Sequence, residues 1–218
     1  MKTNQLNLRL GVMTLMILLA AMSRLLPHPS NFAPIGGMAL FGAAYFAKRY
    51  WAFIVPIVSM WISDLILNNV VYAQYFDHFV WFYGGSLFTY GAFALIVLLG
   101  MLALKKVRLP NLIASALGAS VLFFIVSNFG VWFSGTMYPK TFGGLMACYT
   151  AGIPFFHNTI LGDLFYSAVL FGAFELCCKL IPQLRYQPAT TYMKRISNFS
   201  YPRQQEAAIR HYATVREF

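Results

Sequence analysis

The stretch PIGGMALFGAAYFAKR, residues 34–49, decides the fold. Its apolar part runs from Pro34 to about Ala47, and a helix of that length reaches about 21 Å, short of the roughly 30 Å hydrocarbon core of a bilayer. If it did not cross, Lys48 and Arg49 would lie outside and every later loop would invert. If it crosses, all of the 16 Lys and Arg except Arg24 and Lys140 precede the first apolar run, sit in every second loop, or follow the last run. That distribution is the positive-inside pattern, with basic residues retained in the cytoplasm. The sequence therefore predicts that helix two spans.

Composition agrees with a membrane chain. It is 59% apolar and 10% charged, with a mean hydropathy of +0.63, far outside soluble composition. The net charge of +10 is explained by cytoplasmic retention and needs no nucleic acid. The first apolar stretch, Leu10 to Met22, resembles a signal peptide. It lacks a small-residue cleavage site and is followed by Arg24, which predicts an uncleaved first helix.

The expected fold is an all-α, polytopic helix bundle with six transmembrane helices and both termini in the cytoplasm. Helix one is read over Leu8–Leu26, stopped by Pro27-His28-Pro29. Helix two is read over Pro34–Ala47 and helix three over Trp51–Leu67, kinked at Pro56. Helix four is read over Phe79–Leu104, helix five over Asn111–Ser127 and helix six over Asn158–Ile181. The apolar stretch Thr141–Phe156 is expected to form an extra outer-face or re-entrant helix between helices five and six, because a seventh crossing would export the basic tail. Residues 1–184 form the transmembrane domain and residues 185–218 a basic cytoplasmic tail.

Ionisable residues inside a bilayer are expensive and mark function by default. Asp64 falls about 22 Å above the cytoplasmic end of helix three, and Asp163 about 9 Å below the outer end of helix six. Arg24 closes helix one at the same outer level. The three are expected to share one site in the outer third of the bundle, with a purely structural network as the alternative. Glu175 and Lys179 read as a helical i,i+4 pair. Aromatic residues crowd the outer side more than an interfacial belt requires, which favours loops folding over a ligand. The substrate-binding set is read as Arg24, His28, Asn31, Phe32, Asp64, Asn128, Trp132, His157, Asn158 and Asp163. His28, His78 and His157 show no ligand spacing, and Cys148, Cys177 and Cys178 neither bridge nor chelate by pattern. No metal, cofactor or catalytic residue is expected. Without a phosphate-binding loop, the chain is not expected to hydrolyse nucleotide. Ala39, Ala43 and Ala47 form a small-residue face on helix two, suited either to packing within the bundle or to a partner.

Four segments carry a resemblance. They are Arg24 through Gly42, Ser63-Asp64, Ser127-Asn-Phe-Gly130, and Ile153 through Tyr166 with its embedded His157-Asn158 and Asp163. Together they resemble an uncharacterised family of bacterial membrane proteins described as transport proteins. That family is similar in helix count and topology to the substrate-binding S components of energy-coupling factor (ECF) vitamin transporters. The resemblance implies a multi-pass protein of the bacterial inner membrane that captures a vitamin-like small molecule under its outer loops. It also implies a partner module with a transmembrane coupling protein and two ATPases. The Ala-xxx-Ala docking face that S components carry on helix one is missing here, and Ala39, Ala43 and Ala47 on helix two are the nearest pattern. The chain is thus expected to be a binding subunit and not an enzyme. The rival readings are an intramembrane aspartyl-type enzyme using Asp64 and Asp163, and a structural membrane protein.

Overall fold

A computed structural model describes residues 3–185; the tail 186–218 lies outside the described residues. The described chain is helical, with no strand. Five helices are long and apolar enough to cross a membrane: Gln5–Leu25, Arg49–Val71, Ser86–Ala103, Leu109–Ser134 and Phe142–Leu180. In chain order the elements are α1 (Thr3–Met22), α2 (Ile35–Tyr45), α3 (Arg49–Ile66), α4 (Ser86–Ala103), α5 (Leu109–Ser134) and α6 (Phe142–Leu180).

Local chemistry sets the boundaries. α1 tightens into a turn at Ser23–Leu25, and Leu26 is extended at ψ 148°, as the residue before Pro27 must be. α3 continues through a wide turn, Leu67–Val71. α5 runs to Ser134, beyond the expected end at Ser127. Ser127 Oγ donates to the Phe123 carbonyl at 2.7 Å and Asn128 Nδ2 to the Phe124 carbonyl at 2.8 Å, so these polar residues bond back along the helix without breaking it.

Two expected boundaries are corrected. Helix four begins at Ser86, not Phe79, because Gly85 takes a left-handed φ of 83°. The aromatic segment before it is a loop, held by Asn69, whose amide exchanges two hydrogen bonds with the backbone of Val80 at 2.7 and 2.9 Å. The separate outer-face helix does not exist. Thr141–Phe156 and the expected sixth helix form one 39-residue helix that passes through Pro154. Proline removes one internal hydrogen bond, whereas a break between two helices would leave many backbone groups without partners, a heavy cost where water is scarce.

The helices alternate in direction. Gly36 meets Asp163 while Tyr45 meets Phe174 and Glu175, so α2 runs parallel to α6. Gly100 of α4 abuts Ala43 of α2, and Phe88 of α4 meets Gly130 of α5, which sets α5 antiparallel. At the other end of the chain, Arg9 Nη1 donates to the Leu184 carbonyl at 2.6 Å. The start of α1 and the end of α6 therefore share one end, together with Lys48, Arg49, Lys105, Lys106 and Arg108. We call it the basic end.

At the centre is α2. Met38, Ala39, Leu40 and Phe41 have no solvent exposure, and Phe41 packs edge-on against Phe171 and Phe174 with ring centroids 5.6 and 5.4 Å apart. A helix that is apolar all round is one enclosed on all sides, which is why its short sequence shows no polar face. Of the two uses open to the small-residue face, packing or docking of a partner, the docking one is corrected on the same ground. Ala39 is fully enclosed and Ala43 faces Gly100 of α4, while Ala47 lies beyond the helix and is exposed. Glu175 is also reassigned: its carboxylate accepts the Tyr45 hydroxyl at 2.9 Å, and among the described residues it forms no ion pair with Lys179.

Candidate ligand cavity

A cavity of about 600 Å³ opens at the end opposite the basic loops, within the size range of small-molecule sites. The segment after α1 supplies Arg24, His28, Ser30 and Asn31 to its wall, and α2 supplies Ile35 from its first turn. Met60, Leu67 and Tyr72 come from α3 and its extension, Tyr83 from the loop before α4, Thr89 from the start of α4, Phe123, Ser127 and Asn128 from α5, and Thr159 and Asp163 from α6. Apolar walls with a few convergent polar groups are the usual make-up of a binding site.

Its roof is the 27–34 segment. Phe32 N–H donates to the Pro29 carbonyl at 3.0 Å, and Asn31 sits at φ 65°. This is a tight turn whose third residue needs a left-handed conformation, which Asn tolerates better than most side chains. Asn158 Nδ2 donates to the Ser30 carbonyl at 2.9 Å and ties the turn to α6. Phe32 packs its ring on Phe165 and Tyr166 at 5.7 and 5.8 Å.

Two charged clusters frame the space. In the first, Arg24 Nη1 donates to Asp64 Oδ1 and to Ser63 Oγ, each at 2.6 Å. The Tyr90 hydroxyl donates to Asp64 Oδ2 at 2.6 Å. Both Asp64 oxygens are thus occupied, and Arg24 stands between Asp64 and the cavity. Burial, and after it the Asp64 charge, push the Tyr83 phenol above its ordinary pKa, so it remains a neutral hydroxyl on the wall.

The second cluster is Asp163, which is 2% exposed. Its Oδ1 accepts the Gly36 N–H at 2.9 Å and its Oδ2 accepts the Ser120 hydroxyl at 2.7 Å. Gly36 is the second residue of α2, so Asp163 caps that helix from a neighbouring one, where a carboxylate meets the positive end of the helix dipole. Only glycine permits the approach. A Cβ on Gly36 would lie 2.4 Å from Asp163 Oδ1, and one on Gly37 would lie 2.8 Å from the Tyr166 Cβ.

Of the residues expected to bind substrate, Arg24, His28, Asn31, Asn128 and Asp163 line the cavity. The others do not. Asp64 lies behind Arg24, Phe32 and Asn158 anchor the roof, and His157 is exposed on α6. Trp132 is half-buried and donates through Nε1 to the Pro139 carbonyl at 2.8 Å. The three expected charges form two hydrogen-bonded clusters, since Asp163 makes no hydrogen bond or ion pair with Arg24 or Asp64 among the described residues, while Arg24 and Asp163 line the same cavity. Tyr83, Thr89, Ser127 and Thr159 were not anticipated on the wall, nor Tyr90 and Ser120 behind it. Uncharged polar residues in apolar helices give little signal before the helices are assembled. Among the described residues no group of three or more His, Cys, Asp or Glu converges to hold a metal, and the three cysteines are free.

Comparison with curated proteins and with solved structures returned no match. The profile of one family, described as a family of unknown function, matches residues 4–184. That span holds all six helices and both charged clusters, and the chain belongs to this family, DUF6580.

Proposed function

We propose that this chain is the substrate-binding subunit of a membrane transporter, capturing a vitamin-like small molecule from the outer face. One observation carries the reading: the cavity of about 600 Å³ is built at a single end of the bundle and walled by Arg24 and Asp163. Asp163 is buried inside an apolar helix and Arg24 closes the first apolar span, placements whose cost packing alone seldom justifies. The topology proposed with it has six crossings, including the short α2, with the basic end in the cytoplasm of a bacterial cell. The cavity then faces outward. The resemblance to S components suggests the partner, a coupling protein with ATPases; the enclosed face of α2 does not serve as its docking surface.

The aspartyl-enzyme reading has less support. A carboxylate pair working as acid and base must share a proton or a water, whereas Asp64 and Asp163 each bind separate partners. A thermal-shift screen of vitamins and their precursors on the detergent-purified protein tests the proposal. At least one compound should raise the unfolding midpoint through linkage, and a filled cavity, as in Ser127→Trp, should abolish the rise. Absence of any such compound, together with peptide cleavage that Asp163→Ala abolishes, would favour the enzyme.

A further inference from the structure

We infer that the ligand is amphoteric, carrying an acidic group that seats on Arg24 and an N–H donor that seats on Asp163. The inference rests on the reading above that the cavity binds a solute. Its starting point is the hydrogen-bonding capacity that the protein leaves unused.

Arg24 spends only Nη1 on Ser63 and Asp64. Its Nε and Nη2 make no hydrogen bond to protein among the described residues, and the residue lines the cavity with 14% of its side chain exposed. The Nε/Nη2 edge of a guanidinium is a planar pair of donors matched to a carboxylate or phosphate. Asp64 and Ser63 hold the group still, so that edge is oriented before a ligand arrives.

Asp163 is the complementary half. Each oxygen accepts one hydrogen bond from the protein, and a carboxylate offers about four acceptor positions. The remaining lone pairs suit an ammonium, amidine or amide N–H. Charge balance selects a ligand with both ends. Arg24 is already neutralised by Asp64, so a ligand with only an anionic group would bring a second negative charge into a cavity that contains Asp163. One with only a cationic group would leave the Arg24 edge unmatched. The same cavity is lined by neutral groups, the Asn31 and Asn128 amides and the Tyr83 and Thr89 hydroxyls, which can bond a polar middle without adding charge.

The test is native mass spectrometry on the full-length protein in detergent with four size-matched probe classes. These are amino acids and aminomethylbenzoates, benzoates and dicarboxylates, benzylamines and diamines, and sugars and benzyl alcohols. Binding in the cavity is defined by its loss in Ser127→Trp. The expected result is that amphoteric probes bind in preference to the other three classes. Arg24→Lys should retain the ion pair with Asp64 and an unchanged unfolding midpoint, yet lose the two-donor edge and about tenfold or more in affinity for those probes. Asp163→Asn should erase the preference for an amine over a methyl group at the far end. Cavity binding confined to neutral or singly charged probes overturns the inference and leaves the solute-binding reading standing. Full affinity in Arg24→Lys also overturns it. If none of the classes binds the wild-type cavity, the solute-binding reading falls, and this inference with it.

Discussion

Replacing Gly36 by alanine isolates the contact on which the cavity floor depends. The added Cβ would sit 2.4 Å from Asp163 Oδ1, 2.5 Å from its Cγ and 2.7 Å from Oδ2. Ordinary contact needs roughly 3.5 Å, so either the Asp163 carboxylate turns away or α2 and α6 part by about 1 Å. The Gly36 N–H bond to Oδ1, now 2.9 Å, would then stretch beyond hydrogen-bonding range. Overpacking of this kind costs about 1–3 kcal/mol, and loss of a hydrogen bond to a charged group about 1.5–3 kcal/mol. The better helix propensity of alanine returns at most about 1 kcal/mol. The net expectation is a destabilisation of about 2–5 kcal/mol. Gly172→Ala on α6 is the control, because a Cβ there meets nothing within 4 Å and should leave stability equal or slightly higher. Chemical unfolding in matched detergent compares the two variants. If Gly36→Ala is as stable as Gly172→Ala, the capping of α2 by Asp163 is not the contact described here.

Other perturbations separate the cavity from its surroundings. Arg24→Ala should destabilise by about 3–5 kcal/mol, because it leaves Asp64 buried without its cation; an unfolding midpoint within error of wild type would contradict the ion pair. His157→Ala and Trp132→Phe change residues outside the cavity, and ligand affinity in either should stay within about twofold of wild type, since substitutions that touch no part of a site leave binding nearly unchanged. Asn158→Ala frees the Ser30 carbonyl, so hydrogen exchange over 27–34 should accelerate while that of α6 is unchanged; equal protection in the variant would show that the turn is held by something else. For orientation, Ser30→Cys should react in intact cells with a membrane-impermeant maleimide and Lys106→Cys only after lysis, both in a chain lacking Cys148, Cys177 and Cys178. The opposite pattern would invert the proposed topology.

Much of the architecture was written in charge and hydropathy. The positive-inside pattern found the basic end, and the depth of Arg24, Asp64 and Asp163 within their helices placed them toward the other. What the sequence could not carry was partner choice. Arg24 had two acidic candidates at a similar level, and only the packing of α1 on α3 assigns it to Asp64. Asp163 answers to a backbone N–H, which no residue type announces. The paired glycines at 36 and 37 were the visible trace of that approach, but close packing of any kind calls for glycine. The long α6 was missed because the charge argument against a seventh crossing was met by a separate outer-face helix, whereas one continuous helix through Pro154 meets it equally well, since one lost hydrogen bond does not end a helix whose other backbone bonds persist. The alanines of helix two suited either packing or a partner, and only assembly shows that the helix is enclosed.

The central claim is that the outer cavity holds a small molecule. Its most direct test is native mass spectrometry of the full-length protein purified gently from the membranes in which it is made, compared with Ser127→Trp prepared in parallel. The account predicts a bound species of small-molecule mass on the wild type, released on activation and missing from the filled variant. An identical bound species on both proteins, or none on wild type supplied with vitamins and precursors during growth, would contradict it.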